Sequence, residues 1–168
     1  MIITLPSFSL VVLVGISGSG KSSFAARWFS PTEVISSDRL RAMITDDEAN
    51  QSSSSAAFDI LHRLANYRLG HGRLTVIDAT STRKPARLEL TRLAQSHNRP
   101  AVALVLNPPL EVCLSRNSQR SGRVTPEEVV KRQSQQLIKS LETIETEGFS
   151  QVHVLNAQEI DLAKIERI

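Results

Sequence analysis

Cysteine is almost missing from this chain of 168 residues, which has a single one, Cys113. One cysteine cannot form an internal disulfide, so the sequence excludes a disulfide framework and suits a reducing compartment. Long hydrophobic stretches are missing as well. The apolar run Leu10–Val14 is too short for a signal peptide or a membrane span, and no basic segment precedes it. We therefore expect a cytoplasmic protein without a membrane segment.

Aromatic residues are also scarce, at 4% of the chain, and they are not interleaved with basic residues on one face. That interleaving is typical of platforms that stack single-stranded bases. The formal net charge of +3 permits a polyanionic partner without requiring one. The histidines have no metal-ligand spacing, so we propose no structural metal site. They are His62, His71, His97 and His153.

Five short apolar segments alternate with helical patterns, which predicts an α/β fold with a doubly wound, five-stranded parallel sheet. We expect helices on both faces of the sheet and a single domain over residues 1–168. The predicted strands are Leu10–Val14, Thr32–Ser36, Leu74–Ala79, Ala101–Leu106 and Gln151–Leu155. The predicted later helices are Lys84–Ser96, one opened by Pro108 and Pro109, one opened by Pro126, and Ala157–Arg167.

Three segments without a functional motif also give structural predictions. Met1–Ser9 is interpreted as a lead-in to the first strand. Thr45–Ser55 is predicted to be a polar loop. Its acidic residues are typical of a solvated surface, and they are Asp46, Asp47 and Glu48. The helix that follows has one predicted apolar stripe, made of Ala57, Ile60, Leu61 and Leu64.

The segment Gly15–Ser22 fits the phosphate-binding pattern G-x-x-x-x-G-K-[ST], and it lies between a predicted strand and a predicted helix. Its glycines let the backbone turn sharply, so that successive N–H groups can surround a phosphate at a helix start. Lys21 is expected to reach the β- and γ-phosphates, and the Ser22 hydroxyl is expected to bind Mg2+. The motif therefore predicts that ATP or another NTP binds here with Mg2+. The residues predicted to hold the nucleotide are Gly15, Ser17, Gly18, Ser19, Gly20, Lys21, Ser22 and Ser23.

Asp38 and Arg41 follow the second predicted strand, and ligands of parallel sheets bind where strands end. Three residues apart on a helical turn, the two side chains share a face. The carboxylate is suited to accept a proton from an attacking hydroxyl, and the arginine to hold an anionic substrate. The alternative is that Asp38 only caps the helix and Arg41 is its surface partner. The residues alone favour neither interpretation.

Asp78 lies near the end of the third predicted strand. In phosphate-loop enzymes a carboxylate at the end of an inner strand commonly orients Mg2+, directly or through water. We interpret Asp78 in this way, with binding through water favoured. A strand-end aspartate without a function is the alternative.

The basic residues Arg116, Arg120 and Arg123 form the third candidate group. Arg116 and Arg120 are four residues apart and are predicted to lie on one helical face, and Arg123 lies in the glycine-containing break beyond them. A broken helix pair that carries arginines predicts a helical lid, here at about 116–135, which closes over the nucleotide. Its guanidinium groups would neutralise charge on the transferred phosphoryl group. The alternative is a solvated helix face.

The order of these motifs resembles the N-terminal kinase domain of the bacterial polynucleotide kinase-phosphatases, the end-healing component of an RNA repair system. The likeness runs through S-L-V-V-L-V-G-I-S-G-S-G-K-S-S, E-V-I-S-S-D-x-x-R, D-D-E and L-T-V-I-D-A-T. It continues through V-C-L-x-R-N-x-x-R and Q-S-Q-Q, and so covers nearly the whole chain in order. The lid segment S-G-R-V-T-P is less typical of the family.

The resemblance implies a P-loop kinase that transfers the γ-phosphoryl group of an NTP to the 5′-OH end of RNA or DNA in nucleic-acid repair. It implies that Asp38 is the general base and that Arg41 clamps the phosphate next to the terminal nucleoside. In the same way, Lys21 resembles the residue that holds the phosphates, and Arg116 and Arg120 resemble the lid arginines that bind them. The phosphatase and ligase modules of the family do not follow here, so the chain is either an excised domain or a stand-alone kinase.

Two other functional classes remain open from the sequence. A small-molecule or toxin-like P-loop phosphotransferase would have a closed acceptor pocket in place of an open groove. A nucleotide-gated binding domain would bind NTP and transfer nothing to a hydroxyl. Transfer of label from NTP to a 5′-OH oligonucleotide distinguishes both from a polynucleotide kinase.

Overall fold

A computed structural model describes residues 1–168, with seven strands and seven α-helices. The strands are β1 Ile2–Leu5, β2 Leu10–Val14, β3 Val34–Ser36, β4 Thr75–Asp78, β5 Ala101–Leu106, β6 Gln151–Leu155 and β7 Lys164–Arg167. The helices are α1 Lys21–Trp28, α2 Ser37–Thr45, α3 Ser54–Gly70, α4 Lys84–Ser96, α5 Leu110–Ser118, α6 Glu127–Leu141 and α7 Ala157–Leu162. Short 3-10 turns lie at Gln51–Ser53 and Ile144–Thr146.

The main sheet has five parallel strands in the order β3-β4-β2-β5-β6, which confirms the predicted α/β fold. β2 is central, with β4 on one side and β5 on the other. All five strands run in the same direction, so their carboxyl ends meet at one edge of the sheet. The loop after β2, the start of α2 after β3 and the end of β4 therefore lie next to one another.

Alternate residues of the central strands pack into two cores, one on each face of the sheet. Val12 and Ala103 belong to a cluster of 21 buried residues that α3, α4, α5 and α6 cover. Val11 and Leu104 belong to a second cluster of 15 buried residues, which also contains Phe24 of α1. The predicted helices on both faces are therefore present. No helix combines the length and apolarity that crossing a membrane requires.

The two chain ends differ from the sequence-based prediction. Met1–Ser9, predicted to be a lead-in, contains β1, and the predicted helix Ala157–Arg167 ends at Leu162 and is followed by β7. β1 and β7 pair in parallel as a separate two-stranded sheet. β1 forms because Ile3 and Leu5, at alternate positions, are 1% and 0% exposed in the second core.

The predicted apolar stripe of α3 is partly wrong. Ile60 and Leu64 are 39% and 42% exposed, whereas Ala57 and Leu61 are buried. The buried side chains recur every fourth residue, at Ala57, Leu61, Ala65 and Leu69. The small alanines let the helix pack closely along this line, and Ile60 and Leu64 lie outside it.

Candidate active site

The phosphate loop connects β2 to α1 and depends on glycine at two positions. Gly18 and Gly20 have φ angles of 82° and 96°, in the left-handed region that glycine adopts without strain. A Cβ atom at Gly18 would collide with the carbonyl oxygen of Cys113, because α5 packs directly against the loop. Cys113 is fully buried there.

Lys21 is the first residue of α1, and its side chain turns back into the loop. Its Nζ donates hydrogen bonds to the carbonyl oxygen of Ile16 at 3.0 Å and to Ser19 Oγ at 3.4 Å. Burial lowers the pKa of Lys21 to about 8, although the carboxylates of Asp78 and Asp38 act in the opposite direction. The ammonium group is therefore poorly solvated, and an anionic phosphate would stabilise it.

Asp78 is the last residue of β4, which places it beside the phosphate loop. Ser22 Oγ donates a hydrogen bond to Asp78 Oδ2 at 2.8 Å. Burial raises the pKa of Asp78, and the Lys21 ammonium and the Ser22 hydroxyl oppose that shift. A hydroxyl oxygen and a carboxylate oxygen thus meet at the cavity wall. This pair fits Mg2+, which usually keeps several waters and binds one or two protein oxygens together with substrate phosphates.

Asp38 does not cap α2. The N-cap is Ser36, whose side chain accepts a hydrogen bond from the Arg39 backbone N–H at 3.3 Å. The alternative interpretation, in which Asp38 only caps this helix, is therefore wrong. Asp38 lies in the first turn, and its carboxylate is free to make other contacts.

The Asp38 carboxylate is bound by arginines from two parts of the chain. Oδ1 accepts hydrogen bonds from Arg41 and, at 2.8 Å, from Arg123 Nη1. Oδ2 lies 4.0 Å from Arg120 Nη2 and accepts no hydrogen bond from these side chains. The Asp38 side chain is 27% exposed, so Oδ2 is the carboxylate oxygen left for a ligand.

Glu48 links the α2–α3 loop to the connection between α5 and α6. Its Oε1 accepts a hydrogen bond from the Arg123 backbone N–H at 2.6 Å, and its carbonyl oxygen accepts one from Arg41 Nε at 3.0 Å. Asp46 and Asp47 are exposed, as predicted for a solvated acidic segment. For Glu48 that prediction is wrong, and its partner 75 residues away is not visible in the local sequence.

The lid arginines occupy different positions. Arg116 lies on α5, with Nη1 3.7 Å from the position of a Cβ atom at Gly20. The prediction that Arg116 and Arg120 share one helical face is wrong, because α5 ends at Ser118, before Arg120. Arg120 follows α5 and faces Asp38 instead.

Asn117 fixes this connection to the phosphate loop. Its buried side chain donates to the Thr125 carbonyl oxygen at 2.7 Å and accepts from the Thr125 backbone N–H at 3.1 Å. Thr125 Oγ1 then donates to Ser17 Oγ at 3.1 Å, and the Ser17 backbone N–H donates to Gln133 Oε1 at 2.9 Å. Ser17 was predicted to hold the nucleotide, whereas Asn117, Thr125 and Gln133 had no predicted role. The N-x-x-R and Q-S-Q-Q motifs contain Asn117 and Gln133, and they were the available signal.

One cavity of about 560 Å³ brings the predicted residues together. From the phosphate loop, its walls include Ser17, Gly18, Gly20, Lys21, Ser22 and Ser23. From the other predicted groups, they include Asp38, Arg41, Asp78, Arg116, Arg120 and Arg123. Gly15 and Ser19 do not line it, since Ser19 is fully buried and a Cβ atom at Gly15 would lie 2.8 Å from the Leu106 carbonyl oxygen. An ammonium, four guanidinium groups and two carboxylates thus face one space of nucleotide size, an arrangement suited to phosphoryl transfer.

Comparison with solved structures shows the fold of P-loop kinases. The chain is similar to one in the Pnkp1/Rnl/Hen1 RNA repair complex, with a TM-score of 0.70, 21% identity, and coverage of 84% of this chain and 47% of that one. It is similar to a chain of the AvrRxo1-ORF1:-ORF2 complex with ATP, with a TM-score of 0.67, 18% identity, and coverage of 85% and 50%. It is also similar to a sugar kinase from Janibacter sp. HTCC2649, with a TM-score of 0.61, 22% identity, and coverage of 92% and 91%.

Comparison with known sequences shows the family. A curated relative, transcription factor bHLH140 of Arabidopsis thaliana, is 31% identical over 113 residues, which is 67% of this chain. The chain spans about an eighth of that relative's length, 12%. Residues 10–144 match the family described as AAA domain, and this match includes every residue of the cavity described above. The chain belongs to the AAA domain family.

Proposed function

We propose that the protein is an NTP-dependent polynucleotide 5′-hydroxyl kinase. The observation that carries the proposal is that Lys21 of the phosphate loop and Asp38 face the same cavity. Arg41 and the lid arginines line that cavity as well. A cation that binds the donor phosphates and a carboxylate able to take a proton are the two groups that transfer to a hydroxyl requires.

In the proposed reaction the acceptor O5′ attacks the γ-phosphorus in line with the bond to the leaving oxygen. The O5′–P bond forms, the bond from phosphorus to the β–γ bridging oxygen breaks, and NDP leaves with that electron pair. Asp38 Oδ2 takes the proton of the 5′-OH. Lys21 and Arg120 stabilise the negative charge on the phosphoryl group in flight, and Arg41 holds the phosphate on the 3′ side of the first nucleoside.

Ser22 and Asp78 are the residues proposed to hold Mg2+, Ser22 through its hydroxyl and Asp78 through water. Bound Mg2+ would offset negative charge on the β- and γ-phosphates. The Ser22–Asp78 hydrogen bond of 2.8 Å shows that both oxygens already lie together at the cavity wall.

For this kinase activity, the proposed partners are 5′-OH ends of RNA or DNA. The fold likeness to a chain of an RNA repair complex supports them, as does the order of motifs along the sequence. The matched part is 47% of that chain, and we propose that residues 1–168 are one kinase domain that works beside phosphatase and ligase domains in a cytoplasmic repair system.

A small-molecule phosphotransferase is the second candidate. The fold likeness to a sugar kinase, which covers 91% of that chain, favours it. In that case the acceptor would be a free hydroxyl compound held near Asp38, and an oligonucleotide would not be labelled.

The test is incubation of the protein with γ-labelled NTP and a 5′-OH oligonucleotide, beside the same oligonucleotide carrying a 5′-phosphate. We expect label on the first alone. Label on neither oligonucleotide, with label on a sugar or nucleoside, would establish the second candidate. Label on no acceptor despite measurable NTP binding would indicate a nucleotide-gated binding domain.

The pKa of Lys21, about 8, predicts how NTP affinity varies with pH. Phosphate binds the ammonium form, so bound NTP raises the pKa of Lys21. Between the free and bound pKa values binding must therefore take up a proton, and affinity falls by up to about tenfold per pH unit. We expect the Kd of a non-hydrolysable NTP to rise above pH 8 because Lys21 loses its proton there, and calorimetry measures the rise.

Lys21→Arg is the matched control for this pH dependence, because an arginine stays protonated throughout the range. Its Kd should vary little between pH 8 and pH 9.5. An equal slope in the wild type and the variant would assign the titration to another group.

A further inference from the structure

A second cavity opens beside the first, between α3, α4 and α6. Its volume of about 730 Å³ is within the range of sites that bind small molecules. The two cavities have five lining residues in common, namely Phe58, Ala79, Thr80, Val129 and Gln133. A ligand that begins at Asp38 can therefore extend from the first cavity into the second.

The second cavity has an apolar floor and cationic walls. Leu61, Ile77 and Leu90 are buried and form the floor. Arg83 and Arg132 are exposed, and neither of them forms a salt bridge. An apolar surface between two unpaired guanidinium groups suits a planar ring that is attached to a phosphate.

The carboxylates of this cavity already have partners. Asp59 Oδ2 lies 3.2 Å from Arg63 Nε on the same helix, and Glu89 Oε2 lies 3.4 Å from His62 Nε2. The positive charge of Arg63 offsets that of Asp59, which lessens repulsion of an anionic ligand.

The loop between β4 and α4 is held in place by hydrogen bonds to α6 and to the buried Arg87. Thr82 Oγ1 donates to Gln136 Oε1 at 3.0 Å, and Ser140 Oγ donates to the Thr82 carbonyl oxygen at 2.7 Å. Arg87, which is fully buried with Glu147, donates to the Ser81 carbonyl oxygen at 2.9 Å. Since the Gln136 oxygen is occupied, its amide N–H groups are left to donate to a ligand, and every nucleobase offers acceptors. The cavity is thus preformed.

We propose that the second cavity binds the second nucleotide of the acceptor strand. Its base lies on the apolar floor against Phe58, and the phosphate on the 3′ side of this second nucleoside lies near Arg83 and Arg132. This inference rests on the proposed kinase activity, and it defines how much of the acceptor the protein recognises. It predicts that the site recognises a dinucleotide at the 5′ end, while nucleotides further along the strand contribute little.

The test compares acceptors that share one terminal nucleoside: its 3′-monophosphate, a dinucleotide, a trinucleotide, and a dinucleotide whose second residue is abasic. For the wild type, kcat/KM should rise about tenfold or more from the monophosphate to the dinucleotide, because stacking of one base has that value. The abasic dinucleotide should lose the rise. The trinucleotide should exceed the dinucleotide by no more than a 3′-phosphate added to the dinucleotide does, because only that phosphate reaches Arg83 and Arg132.

Two variants connect the rise to the cavity. Ala86→Trp fills the cavity from α4, and Phe58→Ala removes the ring shared by the two cavities. Each should abolish most of the rise. For Ala86→Trp, which lies outside the first cavity, NTP affinity and the activity toward the monophosphate should stay near the wild-type values. The matched control is Ala26→Trp, an exposed position of α1 outside both cavities. Thermal melting checks folding, and Phe58→Ala provides the test if Ala86→Trp does not fold.

The outcomes separate this inference from the proposed function. Equal kcat/KM for the monophosphate and the dinucleotide would overturn the inference and leave the kinase proposal standing. A rise that persists in both variants would do the same. Absence of label from every nucleotide acceptor would overturn both.

Discussion

Replacing Asp38 by Asn is expected to lower kcat for phosphorylation of a 5′-OH oligonucleotide by about 10²–10⁴. An asparagine has nearly the same shape and still accepts hydrogen bonds from arginines, but it cannot take the proton of the attacking hydroxyl. Oδ2 is the oxygen proposed to take the proton, because Oδ1 already accepts hydrogen bonds from Arg41 and Arg123. Steady-state label transfer at saturating NTP and acceptor measures the loss.

The alternative role for Asp38 is to hold the arginines in place, and the kinetic constants distinguish the two. If Asp38 only positions the lid, Asp38→Asn should raise KM for NTP and change kcat little. If it is the general base, kcat should fall and NTP affinity should stay near the wild-type value. Asp161→Asn, at an exposed position of α7, is the matched control. A variant with wild-type kcat and a folded melting profile would end the assignment of Asp38 as the base.

Most of the main sheet is predictable because its strands are buried on both faces. A strand such as β5 has six fully or almost fully buried residues, so its sequence is an unbroken apolar run that ends where the strand ends. The pairing of β1 with β7 is different. It joins Ile2 to Lys164, at opposite ends of the chain, through strands of four residues. β1 has a short alternation of buried residues, but β7 is exposed at three of its four positions and has Ile165 as its one apolar residue. Neither pattern identifies its partner.

In the candidate site, contacts between residues close in sequence are likewise predictable, and contacts between distant residues are not. Arg41 is three residues from Asp38, and the helical period alone predicts their contact. Arg123 is 85 residues away and reaches Asp38 only because α5 and α6 fold over the ends of β2 and β3. The sequence indicated that Arg123 is a lid residue, but it did not indicate that Arg123 binds the carboxylate proposed as the base. The buried Asn117 side chain depends on the fold in a similar way, since its two hydrogen bonds to Thr125 require a chain reversal that ordinary propensities do not predict.

The contacts of the three lid arginines predict unequal roles for them. Arg123 is engaged by Asp38 through its side chain and by Glu48 through its backbone. Arg120 makes no contact of that kind, since its nearest carboxylate oxygen is 4.0 Å away. Arg120 also contributes to the lowered pKa of Lys21, so its positive charge acts directly on the loop ammonium. Its charge therefore acts both on the lysine that we propose binds the NTP phosphates and on the carboxylate that we propose is the base.

Arg120→Ala is accordingly expected to lower kcat by about 10³–10⁵, the largest loss of the three arginines. Arg123→Ala should lower kcat less, because its guanidinium is committed to Asp38. Arg120→Lys should recover part of the activity, since it keeps the charge and loses the fork of donors that matches phosphate oxygens. Single-turnover label transfer separates the chemical step from product release, and Arg92→Ala, an exposed position of α4 outside both cavities, is the matched control. An Arg120→Ala protein as active as Arg123→Ala would mean that no single guanidinium stabilises the transferred group, because the charge would then be shared across the lid.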